Sequence, residues 1–561
     1  MILLSAYRKR GAAALAALAL LASGCGPGKI IHRDYETQNG VIFCVNSTVS
    51  NLDPVSNEIN VTSVTLAQNV FNRLVRYDSA QNTFLPEIAS SWTVSEDALV
   101  YRFTLRDDVN FHSVPWFSPA RSLTADDVVF SFERIMDYTA PAGDGSEAAA
   151  ALTRSGYDIL DFRHLLRVRQ YVRSVTAVDR HTVEFQLVRP WPYFLELLAN
   201  TNCIISSREF YDSIPDSPKK EDYFRNHPVG TGPFRLASMK FNDHIILERN
   251  PSYWLDPALP RLSKLVLDIT PNRAERMNKM LTGECMVSNQ PSKAVSATGG
   301  TAKNFSSLGS ETYDATMIFF NTSRIPTNSP DVRRAVASAI NREVYGSVLY
   351  PHSAMLPTSM LPFDVTFFAT VAHQETAAAA RLLAEKAPQI LRRSGIVYVY
   401  IERSSSRMGY NISRLTQLLR SDLSALGLHP RVREVDARTL SRIAARNAYD
   451  IIVTRNIFPI KMPLYKLHAM FQCVDGRPAG GNYSAYCSTE LQELLDRNKY
   501  LKLKDISLED LQAINARIER DLPMMTVSIA SDYYIYHPAL AGIRRSANHG
   551  LDFTEAHLLA P

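Results

Sequence analysis

Six cysteines carry the most legible chemistry in the chain: Cys25, Cys44, Cys203, Cys285, Cys473 and Cys487. A thiol can take a lipid, close a disulfide or hold a metal, and its neighbours decide which. No Cys-x-x-Cys occurs, and the histidines make no His-Glu-x-x-His or other close ligand cluster, so no metal and no cofactor are expected. Cys473 and Cys487 bracket the Gly/Pro-rich loop VDGRPAGGNYSAY and would staple a hairpin. Cys44 and Cys285 could join distant parts of the chain, which leaves Cys203 free and buried as a small apolar side chain. Nucleophilic catalysis finds no frame: there is no Gly-x-Ser-x-Gly, and no Ser-x-x-Lys with its accompanying motifs. Gly230-Thr231-Gly232 lacks the third glycine of a dinucleotide loop, and Pro233 forbids the helix that would hold the phosphate, so a turn is expected. Arg403 and Arg407 flank Ser404-Ser405-Ser406, an anion-binding composition for which a plain surface loop is the simpler reading. Trp191-Pro192-Tyr193-Phe194 could line a ligand path, with a core position the stronger reading.

The first cysteine belongs to an export pattern. Arg8-Lys9-Arg10 precede an apolar run of eleven residues, GAAALAALALL, which is signal-peptide length and short of the roughly 20 residues that span a bilayer. Leu21-Ala22-Ser23-Gly24-Cys25 then resembles a lipoprotein box, with its leucine one step early. The expectation is a signal peptide over 1–24 and lipid on Cys25; plain release by signal peptidase and an uncleaved anchor are the alternatives. Gly26 follows the cysteine, so an aspartate inner-membrane retention signal is absent. Cleavage would remove three positive charges and no negative ones, taking the formal charge from +5 to +2.

Those groups need a scaffold. The chain has 561 residues, 46% hydrophobic and 21% charged, values that exclude collagen-like, low-complexity and wholly disordered classes. One core rarely exceeds about 300 residues, so two to four domains are expected. With 61 basic against 56 acidic residues, nothing argues for nucleic acid. Residues 26–39 read as a tether. Strands are expected at 41–49, 92–95, 100–105, 182–188, 316–320, 431–435, 449–454 and 525–529 from β-branched or alternating patterns. Helices are expected at 62–77, 126–136, 192–199, 274–281, 330–339, 375–386, 412–426, 489–498 and 508–521 from apolar spacing and caps. Strands and helices alternate throughout, which makes an α/β protein.

Eight pieces in register then resemble one family. They are Leu52-Asp53-Pro54, LPEIASSW at 85–92, YRFTLR at 101–106, TADDVVFSF at 124–132, PVGTGPF at 228–234, NPSYW at 250–254, LTGEC at 281–285, and 331–342. Together they resemble the extracytoplasmic solute-binding proteins of peptide ABC importers, family 5. Phe43-Cys44-Val45, Trp116-Phe117-Ser118-Pro119 and Gly283-Glu284-Cys285 are most similar to its Sap-type and dipeptide-binding branches. The resemblance implies a type II periplasmic-binding-protein fold: two lobes with a hinge, plus an extra third domain. Lobe I would be 40–74, 209–312 and 533–561, the extra domain 75–208, and lobe II 313–532. It implies disulfides Cys44–Cys285 and Cys473–Cys487. It also implies a periplasmic, lipid-anchored monomer that binds a peptide or peptide-like ligand and delivers it to an ABC permease with its ATPase subunits.

By the same resemblance the ligand lies extended between the lobes, held by main-chain hydrogen bonds from Ser47, Thr48, Val49 and Ser50 and from Arg455, Asn456 and Ile457. One departure stands out. Peptide binders carry an aromatic-x-x-Asp after the strand at 449–454, and that Asp pairs with the ligand amine. Here the matching places hold Asn456 and Pro459, and Ile460-Lys461-Met462 replace the acidic run before Pro463. Either another acid meets the amine, or the ligand is anionic or lacks a free N-terminus; Arg455 and Lys461 read equally well as solvated loop charges. The rival functions are a non-nutritive binder that senses, or sequesters antimicrobial peptides or haem, and an exported hydrolase.

Overall fold

The structure is a computed structural model. It describes residues 39–49, 51–55, 60–78, 83–137, 168, 171–191, 193–289, 305–349, 354–355, 361, 385, 395–402, 412–457, 463–479, 481–501, 503–545 and 550–559. The expected signal peptide, Cys25, Ser50, the helix at 375–386 apart from Glu385, the 403–407 loop and 458–462 fall outside these residues.

The chain opens with β1 (Gly40–Val45) and α1 (Val61–Val70), then β2 (Val75–Asp78) and β3 (Thr83–Pro86). The helix expected at 62–77 therefore stops early. Its apolar spacing continues to Leu74, but two glycines end it. Gly232 N–H donates to the Val70 carbonyl at 2.9 Å. A Cβ on Gly230 would lie 1.9 Å from that same oxygen. The Gly-Thr-Gly loop thus caps α1 from outside, which only glycine permits.

A second, smaller sheet follows with its helices: β4 (Ala89–Val94), β5 (Val100–Leu105), α2 (Ala125–Asp137), β6 (Val172–Asp179), β7 (Thr182–Leu187) and the short α3 (Phe194–Leu198). β4-β5-β7-β6 form their own antiparallel sheet. Thr124 opens α2 with its N–H and hydroxyl both donating to Asp127 Oδ2, at 2.9 and 3.3 Å. The chain continues with α4 (Arg208–Ser213), α5 (Lys220–Asn226), β8 (Phe234–Lys240), β9 (His244–Arg249), β10 (Lys264–Ile269), α6 (Arg273–Leu281) and β11 (Val287–Asn289).

Then come β12 (Ser306–Phe320), α7 (Pro330–Ala339), α8 (Arg342–Leu349), β13 (Ala354–Met355), β14 (Ile396–Glu402), α9 (Ile412–Ala425), β15 (His429–Val435), α10 (Ala437–Ala445), β16 (Ile451–Ile457) and α11 (Pro463–Phe471). The hairpin β17 (Cys473–Val474) and β18 (Arg477–Pro478), α12 (Thr489–Asn498), α13 (Leu508–Asp521) and β19 (Met524–Tyr536) follow.

One sheet crosses the molecule in the order β15-β14-β16-β12-β19-β11-β1-β10-β9-β8, with β13 also on β19. β12 and β19 pair along their length with a register break between Glu311 and Asp314. On one side of that break lies a core drawn from residues 41–287 and 534–556, and on the other a core drawn from 315–529. Two continuous strands therefore join two hydrophobic cores. The α/β architecture with two lobes and connecting strands is present.

Cys44 is bonded to Cys285 and Cys473 to Cys487, and Cys203 is free and buried. The hairpin before Cys487 turns at Asp475 and Gly476, both at positive φ, 51° and 71°, the two-residue turn that matches strand twist.

Candidate functional site

Strand direction defines the site. β11 runs from Val287, opposite Tyr536, to Asn289, opposite Tyr534, and β1 is parallel to it. β16 runs from Ile451, opposite Phe320, to Ile457, opposite Asp314, and β14 is parallel to β16 and to β15. Asp314 in turn faces Ala530 of β19. The carboxyl ends of β1 and β11 therefore point at those of β14, β15 and β16 across the join. The gap spans Ala530 to Tyr534 of β19, about 13 Å of strand at 3.3 Å per residue. Open α/β sheets bind ligands outside the carboxyl ends of their strands; here two such edges face each other.

On the first edge the chain leaving β1 is tied to the start of α1. Asn60 caps that helix, accepting from Ser63 N–H at 3.0 Å. Its Nδ2 donates to the Thr48 carbonyl at 3.1 Å. The Ser47 hydroxyl donates to Asn60 Oδ1 at 3.2 Å. The Thr62 hydroxyl donates to the Ser47 carbonyl at 2.5 Å. Ser47 and Thr48 therefore form a fixed ledge, each carbonyl already accepting one hydrogen bond. The Val49 side chain is in the core. Asn289 Nδ2 donates to Asn46 Oδ1 at 2.7 Å, joining the ends of β11 and β1.

On the second edge Arg455 lies opposite Thr316, Asn456 opposite Ala315 and Ile457 opposite Asp314. Side chains alternate along a strand, so Thr454 and Asn456 share a face that Arg455 does not. The Thr454 hydroxyl donates to Glu402 Oε2 at the end of β14. Burial raises the Glu402 carboxyl above the usual range, against the Thr454 hydrogen bond and the Lys466 charge. Burial lowers the Lys466 ammonium to about 8, with Glu402 opposing. Asn456 is 3% exposed, and its Nδ2 has no hydrogen-bond partner among the described residues. Among the described residues no group of three His, Cys, Asp or Glu could hold a metal ion.

The first turn of α11 also reaches the other hydrophobic core. The Tyr465 hydroxyl is 3.0 Å from that of Tyr171, and Tyr171 stacks on Trp191 with centroids 4.3 Å apart. The Arg189 guanidinium lies over both Tyr171 and Tyr500, at 4.9 and 5.4 Å. Burial, and then Tyr465, push the Tyr171 phenol up to about 12. Trp191, Tyr193 and Phe194 are core residues.

The two segments singled out from sequence, 47–49 and 455–457, thus lie on opposed edges, separated within the sheet by β11, β19 and β12. Glu402, Thr454 and Lys466 escaped the sequence reading. The available signal was an acid closing the alternating strand IVYVYIE.

The description "Bacterial extracellular solute-binding proteins, family 5 Middle" matches residues 83–477. The chain is 26% identical over 512 residues to the peptide transport periplasmic protein SapA of Salmonella typhimurium, covering 90% of this chain and 89% of that one. It is 28% identical over 463 residues to the probable di/tripeptide-binding protein 5 of Pseudomonas aeruginosa, covering 81% and 84%. Among solved structures, HbpA2 from Haemophilus parasuis superposes with a TM-score of 0.75 at 22% identity, over 93% of this chain and all of that one. A dipeptide-binding protein from a Pseudoalteromonas species in complex with Met-Leu gives 0.70 at 22% identity, over 92% and 100%.

Proposed function

The chain belongs to the bacterial extracellular solute-binding proteins, family 5, and from that premise we propose that it is the periplasmic substrate-binding component of a peptide ABC transporter. It takes a peptide or peptide-like ligand between its lobes and hands it to a membrane permease driven by ATPase subunits. The observation that carries this reading is the pair of opposed carboxyl edges, one from each hydrophobic core, across the strands that join them. The gap suits an extended chain, whose neighbours in a sheet lie about 5 Å to each side. Main-chain bonding from Ser47, Thr48, Val49 and Ser50 on one edge and from Arg455, Asn456 and Ile457 on the other would give affinity with little sequence selection.

Lobe I comprises 40–74, 209–312 and 533–561 in this proposal, the extra domain 75–208, and lobe II 313–532. Members of the family are binding proteins, and a stoichiometric ligand without turnover is the expectation here. Lipid on Cys25 would keep a monomer beside its permease, and no helix among the described residues is long and apolar enough to cross a membrane.

Native mass spectrometry of protein purified without refolding tests the reading. A ladder of masses above the bare chain, each one short peptide, is the expected result. A bare chain, a single non-peptide adduct or turnover of an added peptide would overturn it.

A further inference from the structure

We propose that Glu402 is the acidic partner of the ligand's terminal ammonium group, with Asn456 and Lys466 taking the carbonyl oxygen beside it. The proposal rests on the peptide-binding reading above and names the residues that would select a free amino terminus.

Four observations carry it. Glu402 is the last residue of β14, at the carboxyl end of its strand and level with Thr454, three residues before β16 ends at the gap. Among the described residues it receives one hydrogen bond, from the Thr454 hydroxyl, whereas an ionised carboxylate has about four acceptor sites. Asn456, two residues beyond Thr454, shares its face of β16, is 3% exposed and has a donor with no partner among the described residues. Lys466, in the first turn of α11, lies close enough for its charge to act on Glu402, yet among the described residues no ion pair joins them. The cluster therefore offers a carboxyl with acceptor sites to spare on one side and, in Asn456 Nδ2, a donor without a partner among the described residues on the other.

The amino end of a peptide complements that arrangement, because its ammonium only donates and its first carbonyl only accepts. A lone cation would use Glu402 and leave the Asn456 and Lys466 donors facing nothing. A lone anion would use the donors and leave Glu402 a buried, unpaired acid. Burial has moved both titrating groups toward their neutral forms, and a ligand bearing both polarities would draw them back.

Two mixtures of synthetic tripeptides, one with free amines and one N-acetylated but otherwise identical, competed on the full chain in native mass spectrometry, provide the test. The wild type is expected to prefer the free-amine set by at least about thirtyfold, the scale of losing one partner from a buried charged pair. Glu402→Gln should abolish that preference and keep its affinity for the acetylated set, which also reports that it folds. Glu402→Asp keeps the charge and should retain part of the preference. Lys466→Met should weaken both sets while the preference remains. A Glu402→Gln variant that discriminates as the wild type does would overturn the proposal. So would a wild type that binds both sets equally, although peptide binding would then stand. A wild type that binds neither set would overturn the peptide reading itself, and the assignment of Glu402 with it.

Discussion

His112 shows how single residues set conditions on this fold. Its ring is buried, with Nε2 2.9 Å from the Gly232 carbonyl and Nδ1 without a partner among the described residues. Burial lowers it from 6.5 to about 4, so the folded chain holds the ring neutral while the unfolded chain protonates it near 6.5. Its stabilisation is therefore complete above 6.5 and fades as pH falls from there towards 4. By linkage the loss reaches about 3 kcal/mol over that window. Urea unfolding at pH 7 and pH 4.5 should show His112→Gln to be less acid-sensitive than the wild type, by up to about 3 kcal/mol. The Arg73–Glu87 pair is also buried and is well bonded. Glu87 accepts from Arg73 N–H and Nε and from Asn72 Nδ2, at 3.1, 3.0 and 2.9 Å, so LPEIASSW carries an internal ionic anchor as well as a family signature. Glu402 had no such legibility. Its proposed role depends on Thr454, bonded to it across the sheet, and on the charge of Lys466 from a helix, neighbours that sequence spacing does not encode.

At the scale of elements, local pattern was informative where one face is buried and silent where it is not. β5 alternates burial cleanly, and α7 begins after Ser329 with Pro330 in its first turn, although the Ser329 side chain makes no cap hydrogen bond. The joining strands were the opposite case. Sequence pattern supports only 316–320 and 525–529, but β12 runs for 15 residues and β19 for 13. Their remaining long portions, SSLGSETYDA and ASDYYIY, show no clean alternation, because the two strands satisfy each other across the join between cores and no single apolar face selects their register. The Cys473–Cys487 pair gives an element-level prediction. It closes a separation of 14 residues, so Cys473→Ser with Cys487→Ser should lose about 3 kcal/mol of stability by chain entropy. Chemical denaturation of the double variant measures the change, and an unaltered midpoint would show that the neighbouring packing already fixes the hairpin.

The molecule as a whole is two cores joined by two strands, with a second contact away from the hinge. Tyr171 and Tyr465 meet through their hydroxyls, and Arg189 lies between the Tyr171 and Tyr500 rings. Such a contact favours the arrangement in which the lobes stand together, and a neutral hydrogen bond of this kind contributes about 1 kcal/mol. Tyr465→Phe should therefore release a bound tripeptide about fivefold faster in stopped-flow displacement, by shifting the population towards the open form; an unchanged rate would make the contact incidental to closure. The location of the ligand is the central claim, and hydrogen exchange read by mass spectrometry, with and without a saturating free-amine tripeptide mixture, tests it most directly. Slowed exchange is predicted together at 46–49 and 454–457, the two carboxyl edges that face each other. Protection confined to one lobe, or lying on the outer sheet β4-β5-β7-β6, would contradict it.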